Sequence, residues 1–152
     1  MTVAAIVEIP SPAELFQRVE ASFARQGLMQ HWGARLLRVE HGLCEVALPY
    51  SDRITQQQGG FHGGAMGALA DIAAGYAGLT VAPAGMEVTT VEFKINFLAA
   101  FQGGELRAVG RVLKSGKRLI ITAADVQHVA ADGKVTDCAV MQQTLMPVPK
   151  TY

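Results

Sequence analysis

The spacing of apolar residues changes several times along the chain, and each change marks an element. Between Ser11 and Gly27 the large apolar residues Leu15, Val19, Phe23 and Leu28 recur at helical spacing, which predicts a helix with one buried stripe. Its start is written in Ser11-Pro12-Ala13-Glu14, with Ser at the cap, Pro at the first helical position and Glu at the third. Gly27 is the expected stop. Ala34 to Glu40 and Leu43 to Pro49 read as two strands joined at His41-Gly42. After a loop from Tyr50 to Gly60, the chain from Gly63 to Val81 is almost continuously apolar until Pro83 and Gly85 end it. An all-round apolar helix is expected to be buried on all sides.

Beyond that helix the period falls to two. In Thr90 to Phe97, Val91, Phe93, Ile95 and Phe97 are expected on one face and Thr90, Glu92, Lys94 and Asn96 on the other. Turn signals at Gln102-Gly103-Gly104, Ser115-Gly116 and Asp132-Gly133 separate three more strands, Glu105 to Leu113, Leu119 to Val129 and Lys134 to Met146. This order predicts an α+β fold: an antiparallel sheet, with a meander of four final strands, wrapped around one long central helix, plus an additional N-terminal helix. Residues 1–33 form the expected helical extension, 34–147 the sheet-and-helix domain and 148–152 a short tail.

Composition narrows the function. Lys plus Arg and Asp plus Glu are both 13, so there is no basic excess of the kind nucleic-acid binders carry and no overall attraction to an anionic membrane. Cys44 and Cys138 are the only cysteines, too few for a disulfide framework, and are expected as reduced, buried thiols. Met1 to Pro10 lacks a basic stretch and does not read as a leader. The expected setting is cytoplasmic. His31, His41, His62 and His128 are scattered, without metal-ligand spacing to the cysteines, so no metal is expected. Neither a Gly-x-Ser-x-Gly elbow nor a Gly-x-x-x-x-Gly-Lys phosphate loop is present.

The chemistry concentrates in Gln56-Gln57-Gln58-Gly59-Gly60-Phe61-His62-Gly63-Gly64 and the helix it opens. A helix start offers unpaired N–H groups and partial positive charge. Asp71 is the one carboxylate of that helix, and an ionised carboxylate is costly to bury without a reason. Two stripes run along the helix. Leu69, Ile72, Tyr76 and Leu79 are large and should pack on the sheet, whereas Gly67, Gly75 and Gly78 flank Asp71 with very small residues, which invites close approach of a backbone or ligand. Gly63 and Asp71 are eight positions apart, roughly 12 Å of helix. Donor and carboxylate of one helix therefore cannot share one small reacting group. If both serve one reaction, two helices must meet antiparallel in a two-fold dimer with two composite sites.

The pattern Gln56, Gly59, His62-Gly63-Gly64, Leu69, Asp71 resembles the hotdog-fold thioesterases, in particular the acyl-CoA thioesterase branch similar to that of the phenylacetate pathway (PaaI-like). The likeness extends from Ala34 to Met146, through the strand ending at Phe97 and the basic turn between Leu113 and Leu119. It implies that the Gly63 N–H polarises a thioester carbonyl and that Asp71 activates water or attacks to form an anhydride. It implies further that the Gln56 amide bonds near the carbonyl or water, that Thr90 positions the water, and that glycine and acid come from different subunits. His62 either shapes the oxyanion site or fixes the turn, with Gly64 beside it. Lys114, Gly116, Lys117 and Arg118 belong to a basic turn that, by the same likeness, contacts the phosphates of coenzyme A. The coenzyme arrives as part of the acyl-CoA substrate, so no separate cofactor is implied. Many relatives pair dimers into tetramers. Gly75 stands where another branch carries Thr, which favours the Thr90 arrangement. Two other readings remain at this point: a hotdog protein that binds acyl thioesters without hydrolysis, and a hydroxyacyl-thioester dehydratase.

Overall fold

The computed structural model describes residues 9–152. Most of the stretch read as lacking a leader, residues 1–8, lies outside the described residues. Helix α1, Pro12–Phe23, begins on the expected capping box: the Glu14 N–H donates to Ser11 Oγ at 3.3 Å and the Ser11 N–H to Glu14 Oε2 at 2.7 Å. It ends earlier than expected, and Gly27 does not stop it. Gly27 opens a second short helix, α2, Gly27–Trp32, which closes on Gly33 in the left-handed region. Leu28 accordingly lies on α2, exposed, while Leu15 and Val19 are buried on α1.

One sheet of six antiparallel strands follows, comprising β1 Arg35–Glu40, β2 Leu43–Pro49, β3 Met86–Phe97, β4 Glu105–Ser115, β5 Ile120–Val129 and β6 Val135–Pro149. Helix α3, Gly63–Leu79, lies between β2 and β3 in the chain and packs on β2 through β6. The strand order is β1-β2-β4-β5-β6-β3, which corrects the expected meander of four. Of those four strands, only β4, β5 and β6 are consecutive neighbours. β3 pairs with β6 at the far edge, because the chain leaves α3 at the opposite end of the sheet from β2.

The core lies between α3 and the concave face, with Val46, Leu48, Leu69, Ala73, Leu79, Leu106, Ile120, Val126 and Leu145 all buried. Helix and sheet come unusually close at two glycines. A Cβ on Gly110 of β4 would lie 2.3 Å from the carbonyl carbon and oxygen of Ala73, and one on Gly78 would lie 2.3 Å from Leu145 Cδ1. The small-residue stripe is therefore split. Gly78 admits the sheet, Gly67 faces the Phe93 ring, and Gly75 meets nothing within 4 Å. The large stripe is split as well. Leu69 and Leu79 enter the core, Ile72 stays half-buried, and Tyr76 turns to α1, its ring edge-on to Phe23 at 6.0 Å. Nor is α3 buried all round. Ala68, Asp71, Ile72 and Gly75 stay partly exposed. Their i, i+3, i+4, i+7 spacing is that of a single helical face.

Candidate functional site

The glycine-rich turn is held rigidly from both sides. Tyr50 Oη donates to the Gly59 carbonyl at 2.6 Å, the Phe61 N–H to the Phe101 carbonyl at 2.9 Å, and the His62 N–H to the Ile54 carbonyl at 2.8 Å. His62 is the N-cap of α3. Its Nδ1 accepts the Gly64 N–H at 2.8 Å, and its carbonyl accepts those of Ala65 and Met66. An Nδ1 that accepts is bare of a proton, which places the ring proton on Nε2. Among the described residues the Gly63 N–H is then the first-turn donor without a protein partner. So His62 fixes the turn and occupies the Gly64 donor, and Gly63 is left pointing outward at the positive end of the helix. The Phe97 ring covers its Cα: a Cβ there would lie 3.2 Å from Phe97 Cζ. Gln56 lies in the same turn. Its backbone N–H donates to the Gly60 carbonyl at 2.9 Å, and its side-chain oxygen accepts from the Gln58 N–H.

Asp71 sits two turns further along α3, half-buried at a pocket that it lines with Ile72, Gly75, Tyr76, Val88 and Thr90. Thr90 Oγ1 donates to Asp71 Oδ1 at 2.7 Å. Strict alternation would send Thr90 to the outer face with Glu92, Lys94 and Asn96. The β3–β6 register instead slips between Thr90 and Glu92, so that Thr90 lies opposite Leu145 and Phe93 opposite Gln143. Opposed residues of an antiparallel pair share a face. The bulge thus turns Thr90 inward without disturbing Phe93 or Ile95, the re-aiming that bulges beside active sites provide.

The structure adds a residue the sequence reading did not single out. Gln143 of β6 is fully buried. Its Nε2 donates to Asp71 Oδ1 and, at 3.1 Å, to Thr90 Oγ1, while its Oε1 accepts from Thr122 Oγ1 at 3.0 Å. A signal was present: on β6 the inward positions Ala139, Met141, Gln143 and Leu145 are apolar but for this one. Reading it required the strand's parity, which Gln142-Gln143 leaves open. Asp71 Oδ2 has no hydrogen-bond partner among the described residues.

Tyr76 closes the pocket at the α1 side, its hydroxyl 3.1 Å from Ser22 Oγ and 3.2 Å from Gln26 Nε2. Lys114 lies on the exposed end of β4, paired with Ile121, and only Gly116, Lys117 and Arg118 of the expected basic turn lie in the exposed turn to β5; the three cations make no ion pair or hydrogen bond among the described residues. Away from the site, Cys44 and Cys138 are both free and buried. Burial pushes their thiols up to about 12 and about 11. His128 is also buried, its Nε2 2.9 Å from the Gly103 carbonyl and its ring stacked on Phe101. No helix among the described residues is long and apolar enough to cross a membrane.

Comparison with known proteins now gives this geometry a family. The sequence profile of the Thioesterase superfamily matches residues 58–130, from the glycine-rich turn through β5. A candidate esterase of Saccharolobus solfataricus is 32% identical over 122 residues, which cover 80% of this chain and 81% of that protein. A thioesterase family protein from Silicibacter pomeroyi superposes with a TM-score of 0.86 at 35% identity, covering 90% of this chain and 99% of that one. The PaaI protein of the E. coli phenylacetic acid degradation operon shares the fold, with a TM-score of 0.80 at 20% identity over 92% of this chain and 97% of that one. The chain belongs to the thioesterase superfamily, with the hotdog fold that its helix-wrapping sheet displays.

Proposed function

We propose that this protein is an acyl-CoA thioesterase that works as a homodimer with two composite sites. One observation carries the reading. A single helix has a spare N–H at Gly63 and a carboxylate with a free oxygen at Asp71, separated by eight residues or roughly 12 Å. A second copy laid antiparallel brings Asp71 of the partner subunit to the Gly63 donor. The exposed strip of α3 supports this arrangement, and so does β3, an edge strand on which Val91, Phe93 and Phe97 are 56%, 41% and 53% exposed. Free edges and apolar patches of this kind are ordinarily covered.

In this reading the thioester carbonyl oxygen accepts from the Gly63 N–H and sits near the Gln56 amide. Asp71 Oδ2 takes a proton from a water held by Thr90. The water oxygen adds to the carbonyl carbon, and the negative charge moves to the oxygen that Gly63 faces. Collapse breaks the C–S bond, and the departing coenzyme A thiolate takes the proton back from Asp71. In the anhydride route the same Oδ2 attacks first, the thiolate leaves, and water then cleaves the mixed anhydride. Lys114, Lys117 and Arg118, with Gly116 shaping their turn, supply cations for the coenzyme phosphates. The reaction runs in the cytoplasm, and the dimer is the unit that completes each site.

Thiol release from a panel of acyl-CoA esters tests the reading. Asp71→Asn should abolish turnover while sedimentation still shows the dimer. Full activity in that variant, or a catalytically competent monomer, would sink it. Thiol release that stays flat in the native protein while a thioether acyl-CoA analogue still binds would make the protein a carrier, and hydration of an enoyl-CoA would make it a dehydratase.

A further inference from the structure

The Gln143–Thr122 pair lies outside every role assigned so far, yet both side chains are fully buried and hydrogen-bonded. We propose that Gln143 is a positioning residue for the reaction and that Thr122 sets its orientation; the inference rests on the thioesterase reading above. Gln143 belongs to a row of inward residues on β6 that is otherwise apolar, and a buried amide without partners would be costly. Each polar atom of this one is used. Thr122 lies directly opposite on β5, and its hydroxyl donates to Oε1 at 3.0 Å. Nε2 reaches Asp71 Oδ1 and Thr90 Oγ1.

The direction of the amide follows from chemistry. An ionised carboxylate only accepts, so the side of the amide facing Asp71 must be NH2, and the opposite side must be the oxygen that takes the Thr122 proton. Reversing the amide would set two oxygens against each other at Asp71. Two donors, Gln143 Nε2 and Thr90 Oγ1, therefore converge on Oδ1. They fix the carboxylate plane and leave Oδ2 as the oxygen that meets water or substrate. Thr90 is held by the same amide, so one buried group from β6 aligns both the carboxylate and the hydroxyl that orients the water. The anchor is rigid, because Gln143 and Thr122 sit in paired central strands with no exposed surface. Misplacement of a reacting group by about 1 Å can cost on the order of a hundredfold in rate.

The test replaces each group by one of similar shape without its hydrogen bonds. Gln143→Met should lower kcat by about 10- to 100-fold and leave KM, and the affinity for a non-hydrolysable thioether acyl-CoA, within about twofold. Thr122→Val should lower kcat in the same direction by less, and Thr122→Ser, which restores the hydroxyl, should recover it. In an Asp71→Asn background Gln143→Met should cause no further loss of the residual rate. A purely structural Gln143 would instead lower the melting temperature and leave the kcat of the folded protein unchanged, which overturns the proposal, as would equal activity of Thr122→Val and Thr122→Ser. If Gln143→Met does not fold, the two Thr122 variants decide alone. If the native protein releases no thiol from any ester, the thioesterase reading has failed. The tether is then read by NMR: the Gln143 side-chain amide signals should shift in Asp71→Ala, and an unmoved pair overturns it independently.

Discussion

The Gly63 N–H can be deleted without disturbing the helix it opens, which makes it the sharpest point at which to test the mechanism. Gly63 is the first helical residue of α3, and the cap His62 has φ −68° and ψ 136°. That extended conformation is the one a residue before proline prefers, and proline at the first helical position keeps the chain on a helical path. Gly63→Pro therefore removes one donor that has no protein partner and breaks no hydrogen bond of the fold. Its added Cβ would sit 3.2 Å from Phe97 Cζ, so the ring must give by a few tenths of an ångström. Gly63→Ala carries the same Cβ and keeps the N–H, which isolates the donor. Loss of one oxyanion donor costs roughly 100- to 1000-fold in kcat, or about 3 to 4 kcal/mol of transition-state stabilisation. Thiol-release kinetics should place Gly63→Ala within several-fold of the native enzyme and Gly63→Pro lower by that factor, with both melting normally. A Gly63→Pro enzyme whose kcat matches that of Gly63→Ala would remove the helix-start donor from the mechanism.

Two further outcomes follow from packing and titration. Gly110→Ala drives a Cβ to 2.3 Å from the Ala73 backbone, which no rotamer change relieves; overpacking of this kind costs about 3 kcal/mol, and a fall in melting temperature of about 10 °C should follow, whereas an unchanged melt would mean that α3 slides freely over β4. Burial holds the Cys44 thiol up to about 12, so the folded state keeps its proton at a pH where the unfolded chain has lost it. The stability it contributes is complete below the unfolded value near 8.5 and is lost as pH rises from there toward 12. Urea titrations at increasing pH should show that decline, on the order of 4 kcal/mol at full extent, and Cys44→Ala should flatten it; identical slopes for both proteins would refute the assignment.

The parts of this structure that could be read from the sequence are those in which local chemistry speaks for itself. The capping box at Ser11, the apolar rod from Gly63 and the turns at Gly42, Gly103-Gly104 and Gly133 all carry signals within a few residues, and the structure places them accordingly. Strand order was not of that kind. Nothing local tells β3 that its neighbour is β6 and not β4, since pairing depends on where α3 delivers the chain. The bulge beside Thr90 was equally silent. Alternation read off Thr90 to Phe97 put Thr90 on the wrong face for Asp71, and only the pairing register resolves that conflict. Gln143 was missed for a related reason, because adjacent glutamines on a strand look alike until one of them is known to point inward. Gly27 misled because glycine ends one helix as readily as it precedes another, and here Met29 of the second helix is buried while Phe23 at the end of the first packs against the core.

The small residues of α3 acquire a common purpose when helix and site are considered together. Asp has a short side chain, so a carboxylate on α3 reaches the inner row of the sheet only where helix and sheet lie close. Ala73, two residues after Asp71, touches Gly110 backbone to backbone, and Gly78 lets Leu145 press against the helix further on. That closeness brings Asp71 within hydrogen-bond range of Thr90 on the edge strand β3 and Gln143 on β6 beside it. Gly75, which meets no atom, leaves the opposite flank of the carboxylate open to the pocket. Each glycine weakens the helix by about 1 kcal/mol relative to alanine, and the chain tolerates that cost along the one helix that carries its carboxylate. On the proposed dimer, the outer strip of α3 and the edge of β3, uncovered in a single chain, are the surface that completes the site. Stability and catalysis should therefore respond together to dilution. Across protein concentrations that span dimer dissociation, thiol release per chain and melting temperature should fall in parallel, and a specific activity that held constant while the dimer dissociated would separate the two and leave the composite site without support.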